Sequence, residues 1–153
     1  MSTRISRVLL IIGLALVLGV VNWSIAAKER IKSSGERIYL ELAPVDPRSL
    51  MQGDYMALRF AIADRIDATA SGSAPLVVDA RGIATLNPDA SADGLRIRYR
   101  MRGGRVWLGT NAYFFEEGTA ERYASARYGE FRMDRDSGEA VLTGLADQDL
   151  NGL

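Results

Sequence analysis

The sequence predicts a mainly β protein, with a single N-terminal transmembrane helix followed by a compact antiparallel β domain that contains one short helix. An apolar run without a polar residue extends from Val8 to Val21. Beyond Lys28 the apolar residues alternate with polar ones, which is typical of half-buried strands. The exception is the stretch 116–128, whose alanine, glutamate and arginine residues favour a helix. The 153 residues are enough for one domain with its own core.

The apolar segment begins after Arg4 and Arg7 and reaches about 20 residues, the length of a spanning helix, when it is counted to Ala27. Trp23 lies where an aromatic side chain prefers the membrane interface. A cleaved signal peptide stays open as an alternative, because Ser24 and Ala26 provide a small-x-small cleavage site. A buried core helix is less favoured because the run has no polar face.

Topology follows from the flanking charges, because basic residues before a span favour the cytoplasmic side. We expect a single-pass protein of the bacterial inner membrane with its C-terminal domain extracytoplasmic, in the periplasm. The expected division is an anchor or signal peptide (1–28), a linker (29–36), a β domain (37–147) and a tail (148–153).

Two hairpins are predicted within the domain. Gly103-Gly104 between alternating runs favours a two-residue type I′ turn, and the segment 134–139 is a longer turn in which Gly138 can adopt positive φ. The predicted strands are 37–45, 55–62, 75–86, 95–101, 105–115, 129–134 and 139–145.

The composition excludes several chemistries. The chain has no cysteine and no histidine, so thiol nucleophiles, disulfides, histidine-based triads and the usual zinc sites are absent. The formal net charge is zero, which gives no reason to expect nucleic acid as a partner. We expect no cofactor and no metal. The segment 147–152 imitates the start of a calcium loop, but the glutamate needed at position twelve is missing.

An arginine-rich hairpin is the most specific candidate for binding. With Gly103-Gly104 as the turn, Arg102 faces Arg105 and Arg100 faces Trp107, so the arginines and Trp107 share one face. Like charges across strands are destabilising. The row of arginines therefore needs neutralising negative charge. This charge can come from carboxylates of the same domain or from an external anion, such as a partner's carboxylates, lipid headgroups or an acidic glycan. The candidate residues are Arg96, Arg98, Arg100, Arg102, Arg105 and Trp107.

The loop before the second predicted strand is interpreted as structural. Pro47 bends the chain after Asp46, Gly53-Asp54 forms a turn, and Arg48 can bond the nearby carboxylates. In the strand that follows, Met56, Leu58, Phe60 and Ile62 share an apolar face, while Tyr55 points the other way. Ser49 lacks an evident base, since both lysines lie beside the apolar segment, so catalysis by Ser49 is not favoured.

These residues also carry a resemblance. The stretch APVDPRSLMQGDYMALRF resembles the hallmark of the GDYXXLXY family of bacterial membrane-anchored proteins: Gly53, Asp54, Tyr55 and Leu58 match, and Phe60 replaces the final tyrosine. The resemblance extends through GERIYLELAPVDPRSL and through residues 113–147. It implies a domain linked or fused to multi-pass membrane proteins, with no catalytic residues to transfer. The same stretch is also loosely similar to serine signal peptidases. The sequence has no counterpart of the general-base lysine expected of that family.

The sequence therefore favours a membrane-tethered, extracytoplasmic, non-enzymatic module, bound to the lipid bilayer through its helix, that docks on a multi-pass membrane protein. One alternative is a binder of anionic lipid or glycan through the arginine-rich face. The other is a signal-peptidase-like serine hydrolase that uses Ser49.

Overall fold

The computed structural model describes residues 3–43, 51–52, 55–87, 89 and 94–153. One long helix precedes a set of short strands, so the mainly β prediction is confirmed. The elements are α1 (Thr3–Ser34), β1 (Glu36–Glu41), β2 (Met51–Gln52), β3 (Tyr55–Ala57), β4 (Gly72–Val78), β5 (Ala84–Leu86), β6 (Arg96–Arg102), β7 (Arg105–Trp107), β8 (Ala112–Phe114), β9 (Tyr128–Met133) and β10 (Ala140–Ala146), with 3-10 turns at Ala61–Arg65 and Ala120–Tyr123.

The strands form three antiparallel sheets, with the orders β1-β9-β10, β2-β3-β8 and β5-β4-β6-β7. An isolated parallel bridge between Tyr39 and Ile83 joins the first sheet to the third, and an antiparallel bridge joins Leu42 to Phe60. The sheets therefore share one hydrophobic core. Its most buried large side chains are Phe60, Phe131, Ile38, Leu40, Ile97, Leu108, Met133 and Leu145.

The apolar alternation that predicted the strands matches the burial that the structure shows. In β9, Phe131 and Met133 are fully buried while Glu130 and Arg132 face outward. Met56, Leu58, Phe60 and Ile62 all lie in the core, as the sequence predicted. Phe60 packs edge-to-face on Phe131, with ring centroids 5.2 Å apart. Burial of these side chains supplies most of the stability of such a domain.

Several predicted elements are shorter than the sequence suggested. The strand predicted over 55–62 ends at Ala57, and a 3-10 turn begins at Ala61. The strand predicted over 105–115 is divided into β7 and β8, because Gly109 adopts a φ of 66°. The helix predicted over 116–128 is a single 3-10 turn. Arg127 N already donates to Ala146 O, which directs the chain into the first sheet instead of a longer helix.

Both predicted hairpins are confirmed. Gly103 and Gly104 have φ values of 55° and 73°, and the register pairs Arg102 with Arg105 and Arg100 with Trp107. In the second hairpin, Gly138 has a φ of 69°. There the Asp134 carboxylate accepts hydrogen bonds from Ser137 N and Ser137 Oγ, both 2.7 Å long. These bonds close the turn between β9 and β10.

The helix joins the β domain through a single residue, Gly35. Residues 29–36, interpreted from sequence as a linker, comprise the last turns of α1, Gly35 and the first residue of β1. Ile31 is buried against the first sheet. Gly35 N donates to Ile31 O at 2.8 Å, and Arg132 Nη1 donates to Gly35 O at 3.2 Å. These contacts hold the end of α1 against the first sheet.

The C-terminal residues fold back on β10. Leu153 N donates to Leu145 O at 2.9 Å, and the Asp147 carboxylate accepts hydrogen bonds from Asp149 N and Asn151 N at 2.9 Å. The bond from the Asn151 side chain is the main cause that lowers the pKa of Asp147. The segment expected as a tail is therefore an ordered turn, stabilised by its own aspartate.

Candidate functional site

The β6–β7 hairpin presents a basic face, built as the sequence predicted. Side chains alternate along β6, so Arg98, Arg100 and Arg102 are exposed while Ile97, on the other face, is fully buried. The guanidinium carbon of Arg102 lies 5.4 Å from the centroid of the Trp107 ring. At this distance the cation is attracted to the aromatic face, so the pair orders one end of the face.

This face forms one wall of a groove beside the end of α1. We call it the arginine groove; its volume is about 530 Å³, within the range of about 300–1,000 Å³ typical of small-ligand sites. The opposite wall is the start of β10, and Lys28 of α1 contributes its side chain. The lining residues are Lys28, Arg98, Arg100, Arg102, Trp107, Gly109, Thr110, Glu139, Ala140, Val141 and Leu142.

The charges of the arginine groove are unbalanced. Among the described residues, the salt bridges join Lys28 to Glu139, Arg59 to Asp64 and Arg135 to Glu36. Within that part of the chain, Arg98, Arg100 and Arg102 thus have no carboxylate partner. Glu139, the single carboxylate among the described lining residues, is bound by Lys28 Nζ at 2.8 Å. The groove therefore offers three guanidinium groups to an external anion.

The structure does not bring all the candidate arginines together. Arg96 lies outside the groove and donates to Ser73 Oγ at 3.1 Å and to Ser73 O at 3.2 Å. Arg105 lies opposite Arg102 but lines a second depression, beside Arg59 and Asp64. The groove thus contains Arg98, Arg100, Arg102 and Trp107 of the predicted set, and the binding role of these residues stays a prediction.

Sequence reasoning missed the residues that complete the groove. Lys28 and Glu139 are 111 positions apart in the sequence, and no local pattern connects them. The turn between β9 and β10 brings Glu139 beside the arginines of β6, because Gly138 O accepts a hydrogen bond from Arg98 N at 2.7 Å. A Cβ on Gly138 would lie 2.5 Å from Arg96 O. Glycine is therefore required for the turn to approach β6 this closely.

The hallmark loop lies only partly within the described residues. Asp46, Pro47, Arg48, Ser49, Gly53 and Asp54 are outside them, so their predicted roles are not tested. Leu58 and Phe60 are core residues. Tyr55 packs on Phe114, with ring centroids 5.8 Å apart. The described part of the hallmark therefore contributes to packing.

Little in the described residues supports serine hydrolysis. The two lysines of the chain, Lys28 and Lys32, both belong to α1. Lys28 is engaged with Glu139. A serine nucleophile needs a base within hydrogen-bond reach, and neither lysine contacts a serine side chain among the hydrogen bonds of the described residues.

Fold and site together define a class of protein: a small antiparallel β domain carried on one helix that is long and apolar enough to span a membrane. The chain belongs to the GDYXXLXY protein family, whose model matches residues 17–145. The match includes the second half of α1 and nearly all of the β domain, so the resemblance found in the sequence is confirmed. Comparison with curated proteins and with solved structures gives no match.

Proposed function

We propose that this protein is a membrane-tethered, extracytoplasmic module that acts by docking on an integral membrane protein and not by catalysis. The observation that carries this proposal is the environment of α1. No part of its most apolar stretch is buried in the domain. An apolar surface of this extent is unfavourable in water and is stable in a bilayer or against another apolar surface.

One face of the helix supports docking on another membrane helix. Ala15, Gly19, Asn22 and Ala26 follow each other at spacings of four, three and four residues, which places them on the same side of α1. All four are exposed, and nothing lies within 4 Å of a Cβ built on Gly19. Small residues at this spacing let two helices approach closely in lipid. Asn22 Nδ2 donates to Leu18 O at 2.8 Å, and its Oδ1 is the atom that can accept a hydrogen bond from a partner helix.

The joint at Gly35 supports a fixed arrangement of anchor and domain. Lys28 and Glu36 bond to the β9–β10 turn through Glu139 and Arg135 respectively. A partner bound to the helix would therefore also face a constant surface of the domain. A domain held in one orientation can recognise one integral membrane partner, whereas a domain on a flexible linker would sample many orientations.

Site-specific photo-crosslinking in native membranes tests the proposal. A photoreactive residue at Ala15 should produce a discrete adduct with a multi-pass membrane protein, identified by mass spectrometry. The same residue at Val17, which lies on the opposite side of α1, serves as the matched control and should give little adduct. Adducts at neither position, or adducts that contain only two copies of this chain, contradict the proposal.

A further inference from the structure

We propose that the arginine groove binds the phosphate of anionic phospholipids at the surface of the membrane that holds the helix. This inference rests on the tether proposed above and adds a ligand to the same protein. It begins with the three guanidinium groups, which have no carboxylate partner among the described residues. Cations crowded on one strand repel each other unless an anion lies between them.

The position of Lys28 places the groove at the level of the headgroups. Val8 to Ala27 is 20 residues long, and at about 1.5 Å per residue this helix crosses the hydrocarbon core of about 30 Å. Lys28, the next residue, therefore lies at the lipid headgroups. Because Lys28 lines the groove together with Arg98, Arg100 and Arg102, the groove opens where lipid phosphates are concentrated.

The side chains of the groove suit a phosphate ester with an apolar remainder. Each guanidinium is planar and can donate two parallel hydrogen bonds to phosphate oxygens. The facing wall includes Ala140, Val141 and Leu142 of β10, and these half-buried residues can contact the less polar part of a lipid. Arg102 is held over Trp107, which reduces the entropy lost when the anion binds.

Glu139 sets the affinity of the groove. Its carboxylate faces the same space as the arginines and repels an anion, but Lys28 Nζ binds it at 2.8 Å. Removing this negative charge should strengthen lipid binding and release Lys28 for the phosphate. A gain in binding cannot arise from misfolding, so this substitution complements any loss-of-function variant.

The test uses the full chain in nanodiscs of mixed phosphatidylglycerol and phosphatidylcholine, with retained lipids counted by native mass spectrometry. The wild type should retain phosphatidylglycerol in preference to phosphatidylcholine. Arg98→Ala with Arg100→Ala should lower the affinity for phosphatidylglycerol about 30-fold, because each basic side chain near an anionic surface contributes roughly fivefold. Glu139→Gln should raise that affinity severalfold.

The matched control is Arg65→Ala with Arg127→Ala, which removes the same charge from exposed positions outside the groove. It should bind phosphatidylglycerol as the wild type does. Equal binding by the Arg98/Arg100 variant and the wild type overturns the proposal. Equal retention of the two lipids by the wild type also overturns it.

Two further results distinguish lipid phosphate from soluble phosphate, and the proposed membrane tether from the proposed lipid-binding groove. Inorganic phosphate in excess over lipid should not displace phosphatidylglycerol, because the lipid is confined beside the groove; full displacement would assign the site to soluble phosphate and overturn the lipid proposal. A chain that fails to enter nanodiscs contradicts the tether. A chain that enters them and shows no lipid preference contradicts the groove alone.

Discussion

Two parts of the same helix have opposite environments. From Val8 to Ile25 the large apolar side chains of α1 are exposed, and no part of its most apolar stretch is buried in the domain. Six residues later, Ile31 is only 7% exposed. The helix therefore has two parts: residues 8–27 present an apolar surface to their surroundings, and the last turns pack on the β domain.

The transition between these parts explains the position of the arginine groove. The Lys28–Glu139 salt bridge lies where the exposed part ends and the packed part begins. Because α1 continues into β1 through Gly35 alone, the groove stays beside the apolar segment.

Leu14→Arg should remove the protein from the membrane. An arginine costs about 3 kcal/mol in insertion at the centre of a spanning helix and less toward its ends, and Leu14 is exposed inside the apolar stretch, three residues from its centre. The measurement is the fraction that stays with membranes after an alkaline carbonate wash. Ser33→Arg, on an exposed position of the packed part, is the control. If both variants remain equally in membranes, the first part of α1 is not the anchor.

Ile31→Ala should destabilise the β domain by about 2–3 kcal/mol, because it removes a buried side chain at the contact between α1 and the first sheet. Thermal unfolding of the full chain in detergent measures this change. Ile25→Ala, at a residue with 56% of its surface exposed, should leave the free energy of unfolding nearly unchanged. Equal losses in the two variants would remove the distinction between the two parts.

Gly35→Ala should destabilise the joint by about 1–2 kcal/mol, the typical cost of excess atoms in a packed site. A Cβ at Gly35 would collide with Ile31 O and lie 3.0 Å from Met133 N. The matched control is Gly13→Ala, since nothing lies within 4 Å of a Cβ at that position. Chemical denaturation of the full chain compares the two; a neutral Gly35→Ala would show that the joint is looser than described.

The smallest expected effect is a dependence of the thermal stability on pH, caused by Asp134 near the Gly35 joint. Hydrogen bonds from Ser137 lower the pKa of Asp134, and Arg30 at the end of α1 adds to the effect. A carboxyl group with a lowered pKa in the folded protein stabilises it above its ordinary pKa of about 3.8, and this contribution is lost as the pH falls through the lowered value. Wild type should therefore lose more thermal stability between pH 5 and 3 than Asp134→Asn.

Asp136→Asn changes an exposed carboxylate in the same turn and serves as the control for Asp134→Asn. Its melting temperature should follow that of the wild type as the pH is lowered. A wild-type profile that coincides with that of Asp134→Asn at every pH would show that the ionised carboxylate of Asp134 does not stabilise the folded state.

The local alternation of apolar and polar residues was sufficient to predict much of the fold. The alternation from Arg96 to Trp107, together with two adjacent glycines, predicted both the hairpin and its register. The apolar set from Met56 to Ile62 predicted the core face, although the strand itself ends at Ala57. Periodicity reports which residues are buried more reliably than where a strand stops, because strand ends depend on hydrogen-bond partners elsewhere in the chain.

The groove could be predicted only in part, for the same reason. Arg98, Arg100 and Arg102 share a face by periodicity, but Lys28 and Ala140 reach them through tertiary contacts. No local pattern separates Arg96 from the other arginines, because its partner Ser73 lies in β4, outside the strands predicted from the sequence. Such pairings follow from sheet order, which a single sequence does not specify.

The most direct test of the rigid tether uses the absence of native cysteine. Single cysteines at Asp136 and Gln148 place a fluorescent label beyond opposite ends of β10, a strand of seven residues that spans about 20 Å. In vesicles that contain lipids with a spin-labelled headgroup, the label at 136 should be strongly quenched and the label at 148 weakly quenched. Equal quenching at the two sites would contradict a domain held at the membrane by its Gly35 joint.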